Sequence, residues 1–150
     1  MSDTALQQLN EVYDALENKQ FPEGFVAQFT PVCCLAERNG ADTYLVQNRE
    51  GQPFVAKCYD RSRWTTAEGA ELLQGLDLEG LPKQVATFES DTITTTVREY
   101  AEGVSLDAYA AEHNLTQQEI LDICLQLCDI LAGLHHRPDP IIHRDIKPQN

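Results

Sequence analysis

His143-Arg144-Asp145-Ile146-Lys147-Pro148-Gln149-Asn150 is the stretch from which the rest of the chain can be read. It sets a carboxylate, Asp145, where it can take a proton from a hydroxyl, and an ammonium, Lys147, close behind it. An amide, Asn150, follows where its oxygen can ligate Mg²⁺. A carboxylate, a cation and a hard oxygen ligand in one short loop are the parts that phosphoryl transfer needs, because positioning and charge neutralisation supply most of its catalysis. Any one of these residues would pass as part of a charged surface turn. The ordered set, entered from the β-prone pair Ile141-Ile142, points to a catalytic loop.

The chain around that loop has 150 residues, enough for one ordinary domain, and a formal net charge of −13. Lys/Arg clusters that hold phosphate backbones or anionic lipid are missing, which argues against nucleic acid and membrane surfaces as partners and makes the acidity a matter of solubility. Five cysteines, without a Cys-x-x-Cys pair, no charged-then-apolar leader and no long apolar run predict a reducing, cytoplasmic setting. Cys33-Cys34 fall in a strand-like run and Cys124 and Cys128 one turn apart on a predicted helix, so all four are expected as buried thiols in preference to metal ligands.

Upstream of the loop, Thr116-Gln117-Gln118-Glu119 is a capping box, and Ile120, Ile123, Cys124, Leu127, Leu131 and Leu134 recur at helical spacing. These predict a helix over 116–136, after a short one over 106–113. Its apolar stripe has no evident partner in the sequence. Further back, β-prone runs at 32–35, 43–46, 53–59, 85–88 and 93–100 predict a five-stranded antiparallel sheet. Turn signals at Arg38-Asn39-Gly40, Asn48-Arg49-Glu50-Gly51 and Glu89-Ser90-Asp91 separate them. Between the third and fourth runs, residues 61–80 predict a helix capped at Thr65-Thr66, with Leu72, Leu73 and Leu76 as its stripe. Leu6, Leu9, Val12, Tyr13 and Leu16 predict an amphipathic helix over 4–18, stopped by Phe21-Pro22-Glu23-Gly24. The fold class is α+β.

Taken in this order, the elements resemble the protein kinases. The closing stretch matches the H-R-D-x-x-x-x-N catalytic loop, and Lys147 resembles the serine/threonine branch; the chain looks like a bacterial eukaryotic-like serine/threonine kinase, truncated within that loop. The resemblance implies that Asp145 meets the substrate hydroxyl, Lys147 the γ-phosphate and Asn150 Mg²⁺. Phe54-Val55-Ala56-Lys57 resembles the V-A-I-K strand, which implies that Lys57 grips the α- and β-phosphates of ATP and Ala56 lines the adenine site. The helix over 61–80 would be the family's αC, whose Glu pairs with that Lys. Glu68 is favoured for this role, with Glu71 one turn on as the alternative. Glu99-Tyr100-Ala101-Glu102-Gly103 resembles the hinge, whose backbone at Glu99 and Ala101 would meet the adenine edge, with Arg98 gating the pocket behind it. Where kinases have a glycine-rich hairpin over the phosphates, this chain has Leu35-Ala36-Glu37-Arg38-Asn39-Gly40-Ala41-Asp42-Thr43. Leu35 keeps its place at the nucleotide, the glycines are lost or displaced, and of these residues Arg38 alone could compensate for Glu37 and Asp42.

The domain reading is an N-terminal amphipathic helix and linker over 1–29 and an incomplete kinase domain over 30–150. The latter divides into an N-lobe over 30–98, a hinge over 99–103 and the start of a C-lobe over 104–150. The implied activity is ATP- and Mg²⁺-dependent phosphorylation of Ser/Thr on a protein substrate, the 150 residues alone being inactive. A degenerate kinase acting as a regulatory binding module is the alternative. A small-molecule phosphotransferase of the same fold is disfavoured by Arg144 and Lys147.

Overall fold

The computed structural model describes residues 21–64 and 73–149. The expected helix over 4–18, Thr65-Thr66, Glu68, Glu71, Leu72 and Asn150 lie outside the described residues. The chain forms two units: residues up to Gly75 together with Lys83–Tyr100, and Leu76–Pro82 together with Ala101–Asn150.

The first unit is built on a five-stranded antiparallel sheet. Its strands are β1 (Phe29–Ala36), β2 (Ala41–Asn48), β3 (Pro53–Asp60), β4 (Gln84–Glu89) and β5 (Ile93–Glu99), in spatial order β1-β2-β3-β5-β4. Each expected β-prone run became a strand, lengthened by a residue or more at one or both ends in four of the five. The turns fall where the sequence signals them. Asn39 (φ 31°) and Gly40 (φ 87°) are the left-handed pair of the β1–β2 turn, closed by the Ala41 amide on the Arg38 carbonyl at 2.6 Å. Both angles lie where Asn and Gly are the residues tolerated, the signature of a type I′ hairpin. At the β2–β3 turn the Asn48 side chain accepts from the Glu50 and Gln52 amides.

One face of the sheet carries the core. Tyr44, Val46, Ala56, Cys58 and Val97 project from the strands onto Phe25 and Phe29. Here the domain boundary at residue 30 is corrected. Pro22 opens a one-turn helix, α1 (Glu23–Val26), which presents the fully buried Phe25. Phe21 stacks on Phe25 at 5.1 Å and Phe25 on Phe29 at 5.8 Å. Residues 21–29 therefore belong to the core of the sheet and do not act as a linker. Proline fits the start of a helix because its missing N–H is unpaired there anyway, so the stretch read as a breaker begins a turn of helix instead.

The helix expected over 61–80 is also corrected at its ends. Residues 61–63 form a turn in which the Arg63 and Trp64 amides donate to the Asp60 carbonyl. At the other end Leu73 is the last helical residue described, Gln74 bridges Gln84 and Gly75 takes φ 74°, so helical geometry ends seven residues short of residue 80.

The second unit contains α2 (Leu106–Glu112) and α3 (Gln117–His135). The capping box of α3 is formed in full, Thr116 accepting from the Glu119 amide and Glu119 from the Thr116 amide. Those Thr116 bonds hold the Glu119 carboxyl below the usual carboxylate range. The stripe of α3 is only partly covered. Within it Leu134 is buried, Ile123, Leu127 and Leu131 are half-buried and Ile120 is 47% exposed; beside it Leu121 and Leu125 are 49% and 62% exposed. Cys124 and Cys128, expected to be buried, are exposed too. Each large apolar side chain left open forgoes about 1.5–3 kcal/mol of burial. The 150-residue chain in isolation is expected to self-associate and to bind hydrophobic dyes. Sedimentation checks this; a monomer with a sharp thermal transition and no dye binding would show the stripe covered.

Candidate active site

Strand alternation decides what the first unit can present. Lys57 pairs across the sheet with Thr43 on β2 and Thr96 on β5, on the face opposite the aromatic core. Its ammonium is exposed and stands 5.1 Å from the centroid of the Tyr59 ring, on the same face two residues on, a cation–π contact that steadies it. The neighbouring row on this face is Leu45, Val55 and Arg98. The structure therefore brings together three features of the sequence reading: the strand Lys, the Arg expected to gate the pocket, and the second strand.

Ala56 is a correction. A strand turns successive side chains to opposite faces, and Ala56 is 0% exposed within the aromatic core, away from Lys57. The residue that shares the Lys57 face is Val55. The periodicity of two was available in the sequence and, applied to Phe54-Val55-Ala56-Lys57, selects Val55.

Leu35, expected at the nucleotide, is 50% exposed at an irregular step of β1 between Cys34 and Ala36. Beyond it the hairpin uses its own polar groups. The Arg38 amide donates to Asp42 Oδ1 at 3.3 Å and the Ala41 amide to the Arg38 carbonyl. Two amides that a glycine-rich loop would turn toward phosphate are thus engaged within the hairpin. At the end of β5 the Glu99 amide donates to the Lys83 carbonyl at 2.9 Å, and Glu99 Oε2 accepts from the Lys83 amide at 3.0 Å. Ala101 lies exposed in irregular chain.

The second unit carries the loop. The Lys147 ammonium grips both oxygens of Asp145, at 2.9 and 2.8 Å. Arg144 takes φ 63°, a left-handed conformation uncommon outside Gly and Asn, and the Asp145 amide then reaches His143 Nδ1 at 3.3 Å. The loop is tied down at both ends: Ile141 donates to the Leu134 carbonyl of α3, and the Asp107 amide of α2 donates to the Pro148 carbonyl at 3.1 Å. Asp107 is a contact to the loop that the sequence did not single out. The Ser105 hydroxyl, first, and the Ala108 amide hold its carboxyl below the usual range. Ser-x-Asp at the start of a helix was the signal for it. Glu68, Glu71 and Asn150 fall outside the described residues.

Chemically, the loop offers an exposed carboxylate with a cation bound to it, a pair that can accept a hydroxyl proton while neutralising negative charge beside the reacting atoms. Asp145 supplies hard oxygens of the class that Mg²⁺ takes, and the amide of Asn150 is of the same class. Among the described residues no group of three His, Cys, Asp or Glu side chains could hold a metal ion, and no helix is long and apolar enough to cross a membrane.

The family description "protein kinase domain" matches residues 39–150. Serine/threonine-protein kinase 36 of Pongo abelii is 36% identical over 81 residues, covering 53% of this chain and 6% of that protein. Serine/threonine-protein kinase tousled-like 2 of Xenopus tropicalis is 40% identical over 77 residues, covering 50% of this chain and 11% of that protein. The chain thus spans only about a tenth, or less, of the length of these curated relatives. Among solved structures, a crystal structure of Rad53 1–466 in complex with AMP-PNP superposes with a TM-score of 0.75 at 20% identity, covering 91% of this chain and 37% of that one. The last likeness concerns the fold.

Proposed function

The chain belongs to the protein kinase family, and from that premise we propose that it is the nucleotide-binding and catalytic-loop part of a serine/threonine protein kinase. The observation that carries the reading is the Asp145–Lys147 pair, a carboxylate and an ammonium held together on the H-R-D loop. Asp145 accepts the proton of a substrate Ser or Thr hydroxyl as its oxygen attacks the γ-phosphorus of ATP, and Lys147 neutralises charge on the transferring group. Lys57 holds the α- and β-phosphates, Leu35 and Val55 flank the adenine, and the Glu99 carbonyl and Ala101 amide meet its edge. Glu68, with Glu71 as alternative, is the partner assigned to Lys57. The AMP-PNP bound to the fold neighbour supports ATP as the nucleotide. Asn150 would hold Mg²⁺, which supplies charge neutralisation at the phosphates.

The domain assignment follows: a nucleotide lobe to residue 98, now including residues 21–29 and without Leu76–Pro82, which group with the catalytic lobe, a hinge over 99–103 and a catalytic lobe from 104. The named relatives are eukaryotic, so the serine/threonine assignment is carried forward without a preference for a bacterial branch. The partner is a protein substrate. Five cysteines in no disulfide support a reducing, cytoplasmic setting.

The hairpin favours a second reading, a degenerate kinase that binds a partner without turnover, because its amides are internally engaged and Glu37 and Asp42 bring negative charge. Both readings predict weak, Mg²⁺-dependent ATP binding, with a Kd of about 0.1–1 mM. Calorimetry with and without EDTA checks this, and sub-micromolar binding in EDTA would contradict it. Phosphotransfer separates the two: incorporation of label from [γ-³²P]ATP into Ser or Thr by the full-length protein supports the enzyme, and binding without incorporation supports the module.

A further inference from the structure

The β1–β2 hairpin has an attachment that the proposed activity does not require. At the exit of β3 the Arg63 guanidinium lies between two acceptors, bonding Asn39 Oδ1 at the tip of the hairpin and standing 3.7 Å from Asp60 Oδ2 through Nε. The Asp60 amide adds a bond to the Gly40 carbonyl at 2.8 Å. The Asp60 carboxylate is itself fixed by the Ser62 amide and hydroxyl, at 2.9 and 2.6 Å.

Gly40 makes this approach possible. A Cβ there would stand 2.8 Å from Arg63 Cδ and 3.3 Å from Asp60 Cβ, so the stem of Arg63 crosses the hairpin where only glycine leaves room. The displaced glycine of the sequence thus serves the contact with Arg63 as well as the positive φ of the turn. The Asn39 side-chain oxygen at the turn accepts sideways from the Arg63 guanidinium, and the whole contact lies within one unit of the fold.

We propose that Arg63 is a positioning residue for nucleotide binding: it latches the tip of the β1–β2 hairpin to the exit of β3, so that the nucleotide meets a hairpin already held in place. This rests on the reading that the Lys57 face takes ATP. A hairpin without glycines at the phosphate positions cannot wrap around its ligand through backbone freedom, and holding it beforehand lowers the ordering cost of binding. Arg63 touches neither the phosphates nor the substrate hydroxyl in this role. It acts through Asn39 and Asp60.

The test uses the full-length protein and its Arg63→Ala and Arg63→Lys variants. Amide hydrogen exchange without nucleotide reads the latch directly. Since the contact is partly exposed, exchange over residues 37–42 should rise about three- to tenfold in Arg63→Ala. Arg63→Lys, which keeps a cation near Asp60 but cannot fork to both acceptors, should fall between. Exchange over 94–97 in β5 should not change, which controls for loss of folding. With Mg·ATP, KM should rise about three- to tenfold in Arg63→Ala while kcat stays within twofold, because the competent hairpin is only fractionally populated. Unchanged exchange at 37–42 would overturn the latch, and raised exchange with unchanged KM would overturn its role toward nucleotide. A wild-type protein that binds no AMP-PNP would instead sink the nucleotide reading itself, and with it the role of Arg63, even if the exchange result held.

Discussion

Asp145→Asn in the full-length protein is expected to lower kcat by about 10²–10⁴-fold, the range over which a positioned acid or base accelerates proton transfer. The substitution keeps size and shape but removes the charge proposed to accept the hydroxyl proton. It also removes the anion that both Lys147 contacts address. Nucleotide affinity should hardly move, since Lys57, the ammonium proposed to grip the phosphates, lies on the sheet and not on the loop. Folding should survive as well, because the Asp145 side chain is exposed and the loop is anchored by backbone bonds at Ile141 and Pro148. Rapid-quench kinetics with saturating ATP checks this. A variant within threefold of wild type would remove Asp145 from the reaction.

Lys57→Met should cost about 10²–10³-fold in kcat/KM, the usual loss when one preorganised electrostatic contact to the reacting group is deleted. Its thermal midpoint should stay close to wild type: Lys57 is exposed, and the core residues Ala56 and Cys58 face the other way. Among the described residues the change removes the cation–π contact with Tyr59, worth about 0.5–1 kcal/mol at an exposed site. Autophosphorylation by purified Lys57→Met at the wild-type rate would contradict the assignment. Loss of both activity and cooperative unfolding would point to a structural Lys instead.

Much of this was legible from residue order. The strands announce themselves because β-branched and aromatic runs are separated by Asn-Gly and Asn/Gly-rich turns whose positive φ few other residues accept. The capping box of α3 could be read to the residue, since Thr116 and Glu119 satisfy each other's amides regardless of what packs around them. The catalytic loop was legible as an ordered set of chemical types.

What was missed depends on tertiary contact. Phe21, Phe25 and Phe29 repeat every fourth residue, a pattern that signals a helical face, but Pro22 and Gly24 between them read as a break; only the sheet they cover shows that they are core. Ala56 was chosen by its likeness to a motif letter, where the strand's alternation puts it among the aromatics. Arg63 carries little sequence signal: Asp60 is a near neighbour three residues before it, but Asn39 is brought to it by the pairing of β2 with β3.

The measurement that bears most directly on the account is phosphoamino-acid analysis after incubating the full-length protein with [γ-³²P]ATP and Mg²⁺, alongside Lys57→Met and Asp145→Asn. The account predicts label on Ser or Thr of a protein acceptor, lost to background in both variants while each still unfolds cooperatively. Label that persists in both variants, or ATP turned over with no phosphate reaching a hydroxyl side chain, would contradict it.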